Sequence, residues 1–210
     1  MSGAPDLHDL AARIDAARVY EMAARTPLQF APHLSEELGR PVWLKREDLQ
    51  DVFSFKIRGA ANRMAALKDA EKTHGVCAAS AGNHAQGVAK AAAHHGVDAT
   101  IFMPVTTPPI KVAAVEARGA KTRLVGDTYD AACAAALKFS AETGAVFIHP
   151  FDDPLVIAGQ GTVAREIFED APRAVAAIYV CTGGGGLVSG IGTYARTRSP
   201  ETRVFAVEPV

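Results

Sequence analysis

A chain of 210 residues is long enough to bury a substantial core, and its length predicts one large or two small domains. Hydrophobic residues make up 49 % and charged residues 21 %, near the averages of soluble globular chains, so disorder is not indicated; the many alanines favour helix. A formal net charge of -1 supplies no broad basic field for nucleic acid, and small neutral or zwitterionic partners fit better.

Cys77, Cys133 and Cys181 are odd in number, far apart and set among apolar residues, which predicts buried reduced thiols rather than a disulfide frame. No CxxC pair suggests zinc, and no metal is assigned. The start, Met1 to Leu10, lacks a basic stretch followed by an apolar run, and no segment approaches about 18 apolar residues, so the expected compartment is the cytoplasm with no membrane partner.

In chain order, β-rich runs occur at Val42 to Lys45, Val76 to Ala79, Thr100 to Met103, Thr122 to Val125, Ala145 to Ile148, Ala177 to Cys181 and Arg203 to Val207. Helical spacing of apolar residues predicts helices at Ala60 to Lys68, Ala85 to His94, Ile110 to Arg118, Tyr129 to Glu142, Val156 to Phe168 and Leu187 to Arg196. Gly96, Gly119 and Gly144 each follow a helical stretch, where a left-handed terminal residue is wanted. Alternation of strand and helix predicts an α/β fold of parallel sheets with helices on both faces, because parallel strands need crossover connections. Gly159 and Gly161 interrupt a helical run, and close backbone packing is the expected reason. No helix-like run follows Arg203 to Val207, which predicts an incomplete parallel sheet.

Ligands of open α/β sheets bind at the carboxyl ends of strands, which draws attention to three loops. In Thr182-Gly183-Gly184-Gly185-Gly186-Leu187 every Cβ is absent from four successive positions, so backbone N–H groups can converge at a helix start and cradle a phosphate. No Gly-Lys-Ser/Thr follows, and Gly190-Ile191-Gly192 lies inside the predicted helix, which argues against a nucleotide fingerprint. In Ser80-Ala81-Gly82-Asn83-His84, helix capping by Ser80 and Asn83 explains much; the functional alternative is a cup for a substrate carboxylate. In Ser54-Phe55-Lys56-Ile57-Arg58-Gly59-Ala60, apolar neighbours on both sides of Lys56 favour the neutral amine needed for Schiff-base chemistry. Most lysines are solvated surface charges, but a phosphate cup, a carboxylate cup and an amine nucleophile together are the parts of a pyridoxal-phosphate site. Arg58 reads as a salt-bridging residue at a helix start, His94 and His95 as a helix end where protonation complements the dipole, and Asp152-Asp153 as a cap.

Ser54 to Ala60, Ser80 to Gly87, Val156 to Thr162 and Gly183 to Leu187, with Thr26-Pro27-Leu28 and Leu44 to Asp48, resemble in order and spacing the motifs of the threonine dehydratases of the pyridoxal-phosphate-dependent fold-type II family. The resemblance runs from about Val19 to Pro209. It implies two open parallel-sheet α/β domains: residues 1–58 and 151–210 as a large cofactor domain, C-terminally incomplete, and residues 59–150 as a small domain. It implies pyridoxal 5'-phosphate as cofactor, carried by Lys56, which on displacement shuttles the α-proton. Phe55 would lie beside the ring, Asn83 would bond the ring hydroxyl, and Gly183, Gly184, Gly185, Gly186 and Leu187 would hold the phosphate. Ser80, Ala81, Gly82, Asn83 and His84 would form the substrate loop around the carboxylate.

The implied reaction is dehydration and deamination of L-threonine to 2-oxobutanoate and ammonia, the entry to isoleucine synthesis, with L-serine to pyruvate as a close alternative. Racemases of the same group place a serine where this chain has Ala81, and a methyl group exchanges no proton, so one-sided elimination is favoured. Members of the family continue well beyond Glu208-Pro209. The chain is therefore expected to be an N-terminal portion, a truncated product or a non-catalytic assembly protein, and a homo-oligomer where the catalytic domain is complete. Glu208 matches the start of a cation site in some racemases, with no partners here.

Overall fold

The computed structural model describes residues 6–208, so the Met1 to Pro5 start and Pro209-Val210 lie outside the described residues. Asp6 accepts the His8 N–H and opens α1 (Leu7–Asp15), whose Leu10, Ala11 and Ile14 are buried on one face. β1 (Leu28–Phe30), α2 (Pro32–Leu38) and β2 (Trp43–Lys45) follow; β1 and β2 pair antiparallel, and a 3-10 turn occupies Glu47–Leu49. The chain then alternates: α3 (Lys56–Ala65), α4 (Asp69–His74), β3 (Val76–Ala79), α5 (Asn83–His95), β4 (Ala99–Met103), α6 (Pro109–Glu116), β5 (Lys121–Leu124), α7 (Tyr129–Thr143), β6 (Val146–Phe147), α8 (Pro154–Asp170), β7 (Ala177–Cys181), α9 (Gly186–Arg198) and β8 (Arg203–Val207).

The expected parallel sheet is present. Strands β5-β4-β3-β6 pair in that order, all parallel, and β7 pairs with β8 in a second parallel sheet. Strand alternation sorts the core into layers. Val76, Ala78, Ile101 and Met103 pack against α3 and α5, whereas Cys77, Ala79 and Phe102 pack on the opposite face with Ala132 and Ala136 of α7. Helices thus cover both faces of this sheet. On the second sheet Ile178 and Val180 meet α1, α8 and α9, while Tyr179, stacked on Phe205, is 71 % exposed on the other face.

Several expectations need correction. α3 begins at Lys56, four residues before the predicted Ala60, because Gly59 inside it serves packing rather than a break. α1, β1, α2 and α4 were not expected, and all are short. Ser80 and Asn83 do not cap α5: Gly82 occupies the cap position, Asn83 is already helical, and Ser80 Oγ accepts the Gly82 N–H at 3.2 Å to close a turn. Of the cysteines, all free, only Cys77 is buried, and burial pushes its thiol up to about 11; Cys133 is half-buried and Cys181 exposed. His94 and His95 do end α5 before left-handed Gly96, but burial lowers the His95 pKa and opposes its protonation.

Close backbone contact joins α8 to its neighbours. A Cβ at Gly159 would stand 2.5 Å from the Arg58 carbonyl oxygen and 2.8 Å from Gly59 Cα; one at Gly190 would stand 2.7 Å from Gly161 N and from the Ile157 carbonyl oxygen. Gly190 is therefore a helix-packing residue, in agreement with the rejection of a nucleotide loop. Gly159→Ala is expected to force α3 and α8 apart and to lower unfolding free energy by about 2 kcal/mol or more, read by urea denaturation at unchanged slope.

Candidate active site

Lys56 opens α3, and its backbone N–H is accepted by Ser54 Oγ at 3.3 Å. The positive φ of 56° at Phe53, in a non-glycine residue, turns the chain into this start. Two residues on, Arg58 is fully buried. Its guanidinium donates to Glu166 Oε1 at 2.5 Å and Oε2 at 3.0 Å, to both carboxylate oxygens of Glu47 at 2.7 Å, and to Thr162 Oγ1 at 3.1 Å. Lys45 Nζ stands 2.6 Å from Glu166, and the Tyr20 hydroxyl donates to Glu166 at 2.7 Å. Burial works to raise the Glu166 pKa, but hydrogen bonds and charge from Arg58, with Lys45 and Tyr20, hold it below the usual carboxylate range. Arg58 is thus the expected ion-pairing residue, set in the interior as a brace for the turn that presents Lys56.

Lys56 Nζ donates to the Pro150 carbonyl oxygen at 2.7 Å and lies 5.3 Å from the centre of the Phe55 ring. Burial lowers its pKa, which favours the neutral amine that Schiff-base chemistry requires. The amine borders a cavity of about 350 Å³ lined by Ser54, Phe55, Lys56, Ala79, Ser80, Asn83, His84, Tyr129, Pro150 and Phe151. The fold therefore brings Phe55, Lys56, Ser80, Asn83 and His84 to one place. Ala81 and Gly82 complete the loop at the head of α5 without lining the cavity.

Since no side chain caps α5, its leading N–H groups remain available to an external acceptor. Gly87, one turn into α5, lets that helix approach Lys56: a Cβ there would stand 3.2 Å from the Lys56 carbonyl oxygen.

Gly183 to Leu187 adjoin the cavity through Phe151. α9 starts at Gly186, one residue earlier than expected, with Gly185 left-handed at φ 88°. A Cβ on Gly184 would stand 2.1 Å from Cδ1 of the Phe151 ring, and one on Gly186 would stand 2.8 Å from the Phe151 carbonyl oxygen; Gly183 and Gly185 face open space. Among the described residues no backbone group engages the N–H groups of Gly183 to Gly185. A bare backbone cradle at a helix N-terminus fits a phosphate, and a desolvated amine within reach of the same cavity fits a carbonyl-bearing cofactor.

Ser54, Tyr129, Pro150 and Phe151 were missed as site residues. Pro150 acts through a carbonyl that no side-chain motif reveals; Phe151 and Tyr129 precede or start helices, where position rather than residue type carries the signal. Asp153 does cap α8, accepting the N–H groups of Leu155 and Val156. Away from the site, Glu21, His94 and His95 cluster on the surface, with Glu21 held by Arg18 at 2.6 Å; exposed Glu208 follows β8.

Comparison with known proteins identifies the family. A family described as pyridoxal-phosphate dependent enzyme matches residues 19–210. The chain belongs to this family. Among its relatives, the biosynthetic, chloroplastic threonine dehydratase 1 of Solanum lycopersicum is 54 % identical over 92 % of the chain and 32 % of its own length. The L-threonine ammonia-lyase of Geobacter sulfurreducens is 49 % identical over 91 % of the chain and 47 % of its own length. The chain spans roughly a third to a half of the length of these relatives. The processed form of threonine deaminase isoform 2 from Solanum lycopersicum superposes with a TM-score of 0.93 at 46 % identity, covering 97 % of the chain and 56 % of that structure. Maize serine racemase gives a TM-score of 0.90 at 35 % identity over 96 % of the chain and 60 % of its own. The fold-type II architecture is thereby established.

Two outcomes test the geometry. Gly184→Ala, which strikes the Phe151 ring, is expected to cost about 1 to 3 kcal/mol of stability, and Gly183→Ala, facing open space, less than about 0.5 kcal/mol, by urea denaturation. Burial pushes the His84 pKa down to about 4 from an ordinary 6.5. Between those values the unfolded chain takes up a proton that the folded one refuses, so the His84 contribution is present above pH 6.5 and lost as pH falls towards 4. A displacement of that size amounts to about 3 kcal/mol, and a His84→Gln variant is expected to show a correspondingly shallower loss of stability over the same window.

Proposed function

We propose that this chain provides the lysine-bearing part of a pyridoxal-phosphate dependent threonine dehydratase, which converts L-threonine to 2-oxobutanoate and ammonia. The observation that carries the reading is the half-buried Lys56 amine bordering one cavity with Ser80, Asn83 and the head of α5, beside the bare glycine cradle. The cofactor would sit with its phosphate on Gly183 to Leu187, its ring by Phe55 and its hydroxyl near Asn83. Once bound, it would supply an electron sink for the pair left at the substrate α-carbon.

The chain's own groups account for the rest. The substrate loop, Ser80 to His84, would orient the carboxylate through the free N–H groups of α5, with Ala81 and Gly82 keeping the approach clear. Lys56 would take the α-proton, the β-hydroxyl would leave as water, and hydrolysis of the resulting imine would release ammonia. Ala81 puts a methyl group in the loop, and a methyl group cannot return a proton from the opposite face, which supports elimination over racemisation. L-Serine differs from threonine by one methyl group, worth roughly 1 to 3 kcal/mol of discrimination, so serine dehydration to pyruvate is the second reading.

Residues 1–58 and 151–210 are proposed as the cofactor domain and residues 59–150 as the small domain, with α3 running through the first boundary. Among the described residues no helix is long and apolar enough to cross a membrane. A cytoplasmic location, a role in isoleucine synthesis and a homo-oligomeric complete enzyme belong to the same proposal; several relatives are named for chloroplast or mitochondrion.

Adding pyridoxal phosphate is expected to produce a visible absorbance band that disappears in Lys56→Ala. Absence of the band in the parent chain overturns cofactor binding by these residues. With the band present, 2-oxobutanoate from threonine is expected to exceed pyruvate from serine.

A further inference from the structure

We propose that the His84 side chain is a positioning group for Lys56 and the glycine-rich loop, acting through the segment Ile148 to Phe151, and not a ligand of the substrate carboxylate. The inference rests on the functional reading of Lys56 above but concerns a separate atom.

The His84 ring is 3 % exposed, and its Nε2 lies 2.9 Å from the Ile148 carbonyl oxygen. A carbonyl only accepts, so Nε2 carries the proton and Nδ1 presents a lone pair. Nδ1 is buried as well, with no hydrogen-bond partner among the described residues. An ionised carboxylate is also acceptor-only, and two acceptors form no bond. Binding a carboxylate through Nδ1 would require the imidazolium, which burial opposes, and the charges of Lys56 and His149 oppose it further. The backbone N–H groups at the head of α5 suit that carboxylate without the ring.

What the ring holds is the start of a short segment on which the site depends. The Ile148 N–H donates to the Cys77 carbonyl at 2.8 Å, tying the segment to β3. Two residues further, the Pro150 carbonyl accepts from Lys56 Nζ, and the next residue, Phe151, fills with its ring the space that Gly184 leaves open and with its backbone and Cβ the space beside Gly186. His149 Nδ1 accepts the N–H groups of Phe151 at 3.3 Å and Asp152 at 2.7 Å, folding the segment back on itself. Pro150 has no N–H to add a further tether. A single donor from α5 therefore helps place both the acceptor of the lysine amine and the aromatic wall of the glycine cradle.

The test uses the full chain without cofactor. Nitrogen NMR of the imidazoles is expected to show His84 at neutral pH as the neutral tautomer protonated on Nε2; an Nδ1-protonated ring or an imidazolium overturns the proposal. Competitive acetylation then reads the Lys56 amine pKa in His84→Gln, which can still reach Ile148 with a donor, and in His84→Met, which cannot. The lowered Lys56 value is expected to persist in the glutamine variant and to shift by about half a pH unit or more in the methionine variant, as the Pro150 carbonyl moves relative to the amine. An unchanged Lys56 value in a methionine variant of native circular dichroism overturns it; if that variant does not fold, the tautomer still decides. With pyridoxal phosphate added, borohydride trapping on Lys56 is expected to slow several-fold in the methionine variant alone. Failure of trapping in the parent chain sinks the functional reading, while tautomer and amine pKa still judge His84.

Discussion

The structure depends on how closely α8 approaches α3 and α9. Gly59 faces Val156 and Gly159, and Gly161 faces Gly190, at separations that leave no room for a β-carbon. Helices that approach so closely bring backbone against backbone, which fixes their relative height as well as their distance. Because Lys56 opens α3, α9 follows the glycine loop and α8 follows Phe151, these contacts set the frame in which amine, cradle and cavity wall meet.

A buried polar cluster fixes what packing alone leaves free. Arg58 and Lys45 face Glu47 and Glu166 in the interior, two positive groups against two negative ones, with Tyr20 and Thr162 satisfying further hydrogen-bonding capacity. Ion pairs of this kind contribute little net stability, because desolvation offsets attraction, but loss of one partner strands the other and is costly. Their consequence here is geometric: α3, α8, β2 and the Glu47–Leu49 turn must keep their mutual register for the charges to stay paired. Two residues before Arg58, the Lys56 side chain inherits that precision.

The polarity around Lys56 is of a different kind. One carbonyl, one aromatic face and the wall of the cavity surround the amine, and among the described residues no carboxylate is hydrogen-bonded to it. A carboxylate there would hold the ammonium form; a carbonyl acceptor tolerates the neutral amine. A related contrast holds at the starts of α5 and α9, where no side chain caps the helix and backbone N–H groups offer donors without a formal charge.

Residue order by itself determined the alternation of strand and helix and the parallel sheets, since hydrophobic period and local turn chemistry depend on neighbouring residues. It also marked Gly159 and Gly161 as packing positions and Asp153 as a cap. Tertiary structure alone decided that Arg58 lies at the centre of an ion-pair cluster, since its partners Glu47 and Glu166 stand far apart in the chain. It decided against capping by Ser80 and Asn83, because the turn leaves the α5 N–H groups open, and it brought Pro150, Phe151 and Tyr129 to the cavity. Backbone carbonyls and aromatic walls have no residue signature, and their roles arise only when distant segments are packed to van der Waals contact.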